Sequence, residues 1–215
     1  MLIGANQRLL FIGDSVTDCG RSRPVAEGLR DPLGTGYPNF VNAMLTARYP
    51  ELNIRVSNTA CSGDTVRRMA VRWQSDVIDL KPDWLCINIG INDIWRGFDI
   101  PYIPEEHVCF DEYSETLERL VKETRPLLKG LVLMTPHFIE PNRAEPMRAE
   151  VDKYADFNRV LAKKYDAKLA DSQAGFDRLL KYMHPAALAW DRVHPNQVGH
   201  MVMARSFLDA VEFEW

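Results

Sequence analysis

A serine directly after a short apolar segment is the first residue of the chain that could act as a nucleophile. Residues 9–12 read Leu-Leu-Phe-Ile and run straight into Gly13-Asp14-Ser15. A continuous apolar run of this length is typical of a buried parallel strand, and ligands bind at the carboxyl ends of such strands. We therefore expect the hydroxyl of Ser15 to face a crevice at the sheet edge. On this feature alone, the alternative that Ser15 only caps the following helix stays open.

An aspartate and a histidine near the other end of the chain could activate that serine. Asp191 stands three residues before His194. A serine hydroxyl needs a general base within hydrogen-bond reach, and the base needs a carboxylate that fixes its tautomer. The residue types thus predict a triad of Ser15, His194 and Asp191. Position 17 is Thr, so the Gly-x-Ser-x-Gly elbow of α/β-hydrolases is absent and a different serine hydrolase design is expected.

Two further loop residues could stabilise the negative charge that forms on a carbonyl oxygen during attack. Gly63 follows the second predicted strand and Asn92 follows the third. Backbone N–H groups and side-chain amides aimed at such an oxygen lower the barrier to acyl transfer. We predict an oxyanion hole made by the backbone N–H groups of Ser15 and Gly63 and the side-chain amide of Asn92.

The elements that must position these residues alternate between strands and helices. This alternation predicts an α/β fold, a three-layer α/β/α sandwich with a central five-stranded parallel sheet, formed by a single domain over residues 1–215. Residues 95–110 show no clear period and are expected to form a long connection that acts as a lid or contact surface. Strands are predicted at residues 9–12, 53–56, 84–89, 130–134 and 168–171.

Composition excludes several classes of function. The net charge of −4 provides no basic footprint for nucleic acid or an anionic membrane surface, and no apolar run is long enough to span a bilayer. The first residues lack a signal-peptide pattern, so a cytoplasmic protein is expected. The four cysteines form no Cys-x-x-Cys and the five histidines show no zinc-binding spacing. We therefore expect no metal and no cofactor.

In four blocks the chain resembles the SGNH hydrolases, also called GDSL esterases. The blocks are Gly13-Asp14-Ser15, Gly63 in Ser-Gly-Asp-Thr, Gly90-x-Asn92-Asp93 and Asp191-x-x-His194. The resemblance extends from residue 12 to residue 199. It implies the flavodoxin-like α/β/α fold of that family and a serine esterase activity, with the Ser, Gly, Asn and His of these blocks as the functional residues.

Within that family, the chain is most similar to the branch of cytoplasmic acetyl-xylooligosaccharide esterases. The similar segments are residues 11–21, 90–96 and 185–195, although His184 stands where this branch is expected to have an aromatic residue. The resemblance implies removal of acetyl groups from acetylated sugars and assembly as a homo-oligomer. The terminal Trp215 is equally compatible with a contact to a neighbouring subunit and with packing on its own domain.

Four side chains are candidates for sugar contacts, because aromatic faces stack on pyranose rings. Ordinary core or subunit contacts are an equally good interpretation of the same residues, which are Trp95, Arg96, Tyr102 and Trp190. Other functions also stay open: a general short-chain carboxylesterase, a thioesterase or a lysophospholipase of the same family. From a different class, a non-catalytic carbohydrate-binding relative would retain the fold without needing the triad.

Overall fold

Five parallel strands form the centre of the protein, in the order β2-β1-β3-β4-β5. The computed structural model describes residues 1–28 and 32–214. This order is that of flavodoxin-like, doubly wound sheets, and it confirms the predicted five-stranded parallel sheet. The strands are β1 (Arg8–Gly13), β2 (Arg55–Asn58), β3 (Trp84–Asn88), β4 (Gly130–Met134) and β5 (Lys168–Ala170).

Helices cover both faces of this sheet and complete the predicted three-layer sandwich. One face packs against α1 (Ser15–Asp18), α2 (Tyr37–Arg48), α7 (Ser172–Leu179) and α8 (Gln197–Ala210). The other face packs against α3 (Val66–Val71), α4 (Ile91–Asp99), α5 (Phe110–Thr124) and α6 (Pro146–Lys164). Within residues 1–28 and 32–214, no helix is both long enough and apolar enough to cross a membrane.

The alternation of side chains along β1 shows how the core is divided into these two layers. Leu9 and Phe11 belong to the core beneath α2 and α8, whereas Leu10 and Ile12 belong to the core beneath α3 and α5. Successive side chains of a strand point to opposite faces of the sheet. A continuous apolar run is therefore what a strand buried on both faces requires, and β1 is fully buried from Leu9 to Gly13.

Two elements differ from their predicted positions by more than one residue. The second strand begins at Arg55 and not at Asn53, because Asn53 adopts a left-handed conformation (φ 44°) that ends the 3-10 turn before it. The predicted connection over residues 95–110 is helical at its start, since α4 continues to Asp99. Gly97 lowers the helix propensity of this segment, but it lies against the ring of His107, where a Cβ atom would approach to 3.2 Å.

The central strands meet closely at the edge where the candidate site lies. Gly13 ends β1 beside Asn88 of β3, and a Cβ atom at position 13 would lie 2.1 Å from the backbone oxygen of Asn88. No side chain fits at that distance, so this register requires glycine. The loops that follow β1, β2 and β3 are thereby brought side by side.

Candidate active site

Ser15, His194 and Asp191 form a continuous hydrogen-bonded chain. The Oγ of Ser15 lies 2.8 Å from Nε2 of His194, and Nδ1 of His194 lies 2.6 Å from Oδ2 of Asp191. Nδ1 of His194 carries a proton and donates a hydrogen bond to Asp191. Nε2 is therefore unprotonated and accepts a hydrogen bond from the hydroxyl of Ser15. The His194 side chain is 38% exposed and that of Asp191 only 7%. The base thus faces solvent on one side while its carboxylate partner is covered.

Local capping positions the serine. Asp14 is the N-cap of α1, and its Oδ1 accepts the backbone N–H of Val16 at 3.0 Å. This bond fixes the turn between β1 and α1, so Ser15 is the first helical residue. Burial raises the pKa of Asp14 to about 7, despite the hydrogen bond from Val16, which lowers it.

The Asp191–His194 loop is organised around the aspartate. Oδ1 of Asp191 accepts the backbone N–H groups of Val193 and His194, at 2.9 and 2.8 Å. Burial alone would raise the pKa of Asp191, but the hydrogen bonds from the His194 ring and from these two backbone groups hold it below its ordinary value. The carboxylate is therefore ionised at neutral pH, as stabilisation of an imidazolium requires.

A second histidine, which sequence reasoning missed, supports this loop from the side of β4. Nε2 of His137 lies 3.3 Å from the carbonyl oxygen of Val193. Close by, the backbone N–H of Ile139 donates to the carbonyl of Arg192 at 2.8 Å. Burial lowers the pKa of His137 to about 3. Its ring is thus neutral, with Nε2–H as the donor to Val193. The only signal in the sequence is its place three residues after the end of an apolar strand, which is too common to be specific.

The loop carrying Gly63 is tied to the other two strand ends. The N–H of Cys61 donates to the carbonyl of Gly13 at 3.0 Å, and Gly63 adopts φ +82°, a left-handed conformation that favours glycine. Asn92 is only 2% exposed, and its Nδ2 donates to the carbonyl of Asp64 at 2.9 Å. The structure therefore brings Gly63 and Asn92 to the same edge of the sheet as Ser15.

Buried charged side chains hold this loop in place. Oδ2 of Asp18 accepts both the backbone N–H and the hydroxyl of Ser62, at 2.8 and 2.9 Å. Burial would raise the pKa of Asp18, but the hydrogen bonds from Arg23 and Ser62 lower it below its ordinary value. The carboxylate is therefore charged and anchors the residue that precedes Gly63.

Arg72 connects the same loop to the end of β1. Its guanidinium donates to Oδ2 of Asp64 at 2.7 Å and to the carbonyl oxygens of Thr59 and Gly13 at 2.6 and 3.3 Å. It also forms an ion pair with Asp76 at 2.6 Å. Arg72 is distant from Ser15 in the sequence, and sequence reasoning did not single it out.

Cys19 lies immediately behind the serine but is a poor rival nucleophile. Its Sγ lies 3.4 Å from Nε2 of His200 and 3.5 Å from the carbonyl oxygen of Ser15. Burial raises the pKa of the Cys19 thiol to about 12. The thiolate, which is the nucleophilic form, is therefore scarcely populated at neutral pH.

The four predicted sugar contacts fall into two groups. The Trp95 ring lies 5.7 Å from that of His194, and Arg96 lies over the Trp95 ring at 5.0 Å. Tyr102 and Trp190, in contrast, are 77% and 86% exposed. Trp215 lies outside the described residues.

Residues 11–202 match the family described as GDSL-like lipase/acylhydrolase. The chain belongs to this family. An acetylxylan esterase from Geobacillus stearothermophilus is 54% identical over 215 residues, which cover 100% of this chain and 98% of the relative. The prediction of an SGNH ester hydrolase of the acetylxylan esterase branch is confirmed by these two matches.

Solved structures of similar proteins agree in fold. The crystal structure of Axe2, an acetylxylan esterase from G. stearothermophilus, matches with a TM-score of 0.99 and 53% identity, over 100% of this chain and 98% of that one. LAE5, an α/β hydrolase from the metagenome of Lake Arreo in Spain, matches with a TM-score of 0.96 and 50% identity, over 99% and 98%. Structures of Axe2 described as catalytic mutants carry the substitutions S15A, D191A and H194A.

Proposed function

We propose that this protein is a serine esterase that removes acetyl groups from acetylated xylo-oligosaccharides. The observation that carries the proposal is the hydrogen-bonded chain Ser15–His194–Asp191, with distances of 2.8 and 2.6 Å. An ionised Asp191 keeps the imidazole proton on Nδ1 of His194, so Nε2 is the atom that takes the proton of Ser15. The similarity to an acetylxylan esterase supports the choice of substrate class.

In this mechanism, His194 takes the proton of Ser15 as the serine oxygen attacks the acetyl carbonyl carbon. The tetrahedral intermediate collapses, the sugar oxygen leaves with the proton held by His194, and an acetyl-enzyme ester remains on Ser15. Water then attacks this ester with His194 again as the base, and acetate departs as Ser15 recovers its proton. Asp191 stabilises the imidazolium in both halves of the reaction.

The carbonyl oxygen carries the developing negative charge in both steps. We assign its stabilisation to the backbone N–H groups of Ser15 and Gly63 and to the side-chain amide of Asn92. Support comes from the fixed left-handed conformation of Gly63 and from the nearly complete burial of Asn92. Trp95 borders the ring of His194 and is a candidate for sugar stacking. Tyr102 and Trp190 stay candidates for contacts further out, whereas Arg96 contacts the amide of Asn92.

The decisive experiment is acetate release from acetylated xylo-oligosaccharides, with Ser15→Ala as the blank. Release that disappears in this variant supports both the mechanism and the substrate. If the sugar ester is not cleaved while p-nitrophenyl acetate is cleaved through Ser15, the hydrolase stands but xylo-oligosaccharides are excluded. A general carboxylesterase, thioesterase or lysophospholipase of the same family would then be favoured.

A non-catalytic carbohydrate-binding protein is the alternative from another class. A fluorophosphonate probe reacts covalently with an activated serine, so labelling that requires Ser15 supports the hydrolase. Absence of labelling in the folded wild-type protein would overturn the proposal. We expect no metal or cofactor requirement, because every proton transfer is assigned to the protein's own residues; activity should survive treatment with EDTA.

The proposal includes a single domain over residues 1–215, a cytoplasmic location and a homo-oligomeric assembly. All four cysteines are free, which suits a reducing compartment. Large apolar side chains such as Tyr182 and Trp190 are 85% and 86% exposed, which suits contact between subunits. One calorimetric unfolding transition, recovery in the cytoplasmic fraction and a multiple of the 24.6 kDa chain mass by light scattering are the expected results.

A further inference from the structure

Arg96 lies directly behind the amide of Asn92, one helical turn further along α4. Its Nη2 donates to Oδ1 of Asn92 at 3.1 Å. The guanidinium is itself held on two sides, since it pairs with Asp99 and lies over the ring of Trp95 at 5.0 Å. The side chain is thus ordered by three neighbours, all on the same helix.

These contacts account for two of the three hydrogen-bonding groups of the Asn92 amide. An asparagine amide offers one acceptor oxygen and two N–H donors. Arg96 occupies Oδ1, and one Nδ2–H donates to the carbonyl of Asp64 at 2.9 Å. The second Nδ2–H stays available for an oxyanion. A flipped amide would place Nδ2–H against a cationic guanidinium and Oδ1 against a carbonyl, so the flip is disfavoured at both ends.

We propose that Arg96 is a positioning residue for the oxyanion hole, acting through Asn92 and not through contact with the sugar. Its charge-assisted hydrogen bond fixes the amide with a donor facing the reacting carbonyl. The positive charge at Oδ1 also polarises the amide and strengthens its N–H as a donor. This inference rests on the proposed function, since it needs Asn92 to stabilise the oxyanion.

The experiment is a double-mutant cycle between Arg96→Met and Asn92→Ala, measured with p-nitrophenyl acetate. Asn92→Ala alone should lower kcat by about 10²–10³. Arg96→Met alone should lower kcat and kcat/KM by similar factors, about 10- to 100-fold, because a misplaced catalytic group costs that much. In the Asn92→Ala background, Arg96→Met should change kcat by less than about twofold, because the amide through which it acts is gone.

A second comparison separates this role from sugar contact. An amide-positioning Arg96 affects every ester alike, so acetylated xylo-oligosaccharides and p-nitrophenyl acetate should lose the same factor in Arg96→Met. A sugar contact predicts a loss confined to the sugar ester and expressed as a higher KM. Arg48→Met is the matched control, because Arg48 lies over the Tyr49 ring at 4.8 Å and its loss should leave turnover unchanged.

Arg96→Lys gives an independent measure and replaces Arg96→Met in the cycle if that variant does not fold. Lysine retains the charge but lacks the fork that reaches Asn92 and Asp99 together, so its kcat should fall between wild type and Arg96→Met. Equal losses for Arg96→Met in both backgrounds, or a loss seen only with the sugar ester, would overturn the inference. Near-wild-type turnover of Asn92→Ala would instead overturn the oxyanion assignment itself.

Discussion

The two loops that bring the triad together are built in different ways. The Ser15 end of the sheet is fixed by largely buried ionisable side chains, with Asp14 capping α1 and Arg72 linking the carbonyl of Gly13 to Asp64. The Asp191–His194 loop is fixed by hydrogen bonds within itself and by hydrogen bonds from His137 and Ile139, which follow β4, to its backbone carbonyls. His194 is also the more exposed partner, at 38% of its side chain.

The difference separates two demands of the chemistry. The nucleophile and the oxyanion donors must stay fixed relative to one another, because the transition state is stabilised only by preorganised groups. The base must exchange protons with the substrate and with water, so it needs access to solvent. Changes to the ionisable side chains that support the Ser15 side, such as Arg72, should therefore lower stability, whereas changes within the His194 loop should act mainly on turnover.

The largest expected effect is on turnover and arises in the His194 loop. Asp191→Asn keeps the shape of the side chain but removes the charge, and the His194 ring then adopts the unproductive tautomer. We expect kcat to fall about 10⁴-fold while the thermal midpoint changes by only a few degrees. Steady-state kinetics and calorimetry on the same preparation check this. Retained activity would show that Asp191 is only structural.

The next effect is on stability and arises on the Ser15 side. Arg72→Met leaves Asp64 without its cationic partner, and the loss is costly because the side chain of Asp64 is mostly buried. Breaking such a pair should lower the free energy of unfolding by about 2–4 kcal/mol. Urea titration measures it. The control is Arg119→Met, which breaks the exposed pair with Glu123 and should cost under about 0.5 kcal/mol. Equal losses in the two variants would contradict the comparison.

The smallest effect concerns the pH dependence of stability through His137. Its folded-state pKa of about 3 lies below the unfolded value of about 6.5, so between these values the unfolded chain binds a proton that the folded protein excludes. His137 therefore lowers the free energy of unfolding by about 1.4 kcal/mol for each pH unit below 6.5. Asp14, with its pKa raised to about 7, acts in the opposite direction between pH 4 and 7.

Because these contributions offset each other in the wild type, the measurement must be a difference. His137→Gln retains an N–H donor but does not titrate. Urea titrations at pH 6, 5 and 4 should show the wild type losing stability relative to His137→Gln by about 1.4 kcal/mol per pH unit. Parallel stability curves for the two proteins would show that His137 can be protonated in the folded protein.

The sequence predicts the sheet well because each strand is an apolar run bounded by turn residues. The continuous apolar segment at β1 requires burial on both faces, and the structure shows it. Helix α4 is harder to predict, because Gly97 and nearby aromatic residues obscure the helical period. Its stability depends on packing against the core through Ile91 and Ile94, which no local pattern reveals.

The same limit applies to the candidate site. Ser15, Asp191 and His194 could be selected from residue type and spacing, and the structure places them within hydrogen-bond reach; their catalytic roles stay predictions. Two of the supporting residues could not be selected. Arg72 and His137 act on backbone carbonyls far away in sequence, and only the folded chain brings these groups together.

The contact at Gly13 has an evolutionary consequence. The backbone of β3 leaves no room for a side chain there, so Gly13 is required by the strand register whether or not an ester is ever cleaved. A descendant that lost hydrolysis could exchange Ser15 freely, but it could not exchange Gly13 without rebuilding the sheet. We therefore expect Gly13 in active and inactive relatives alike, whereas Ser15 is needed only where hydrolysis is retained.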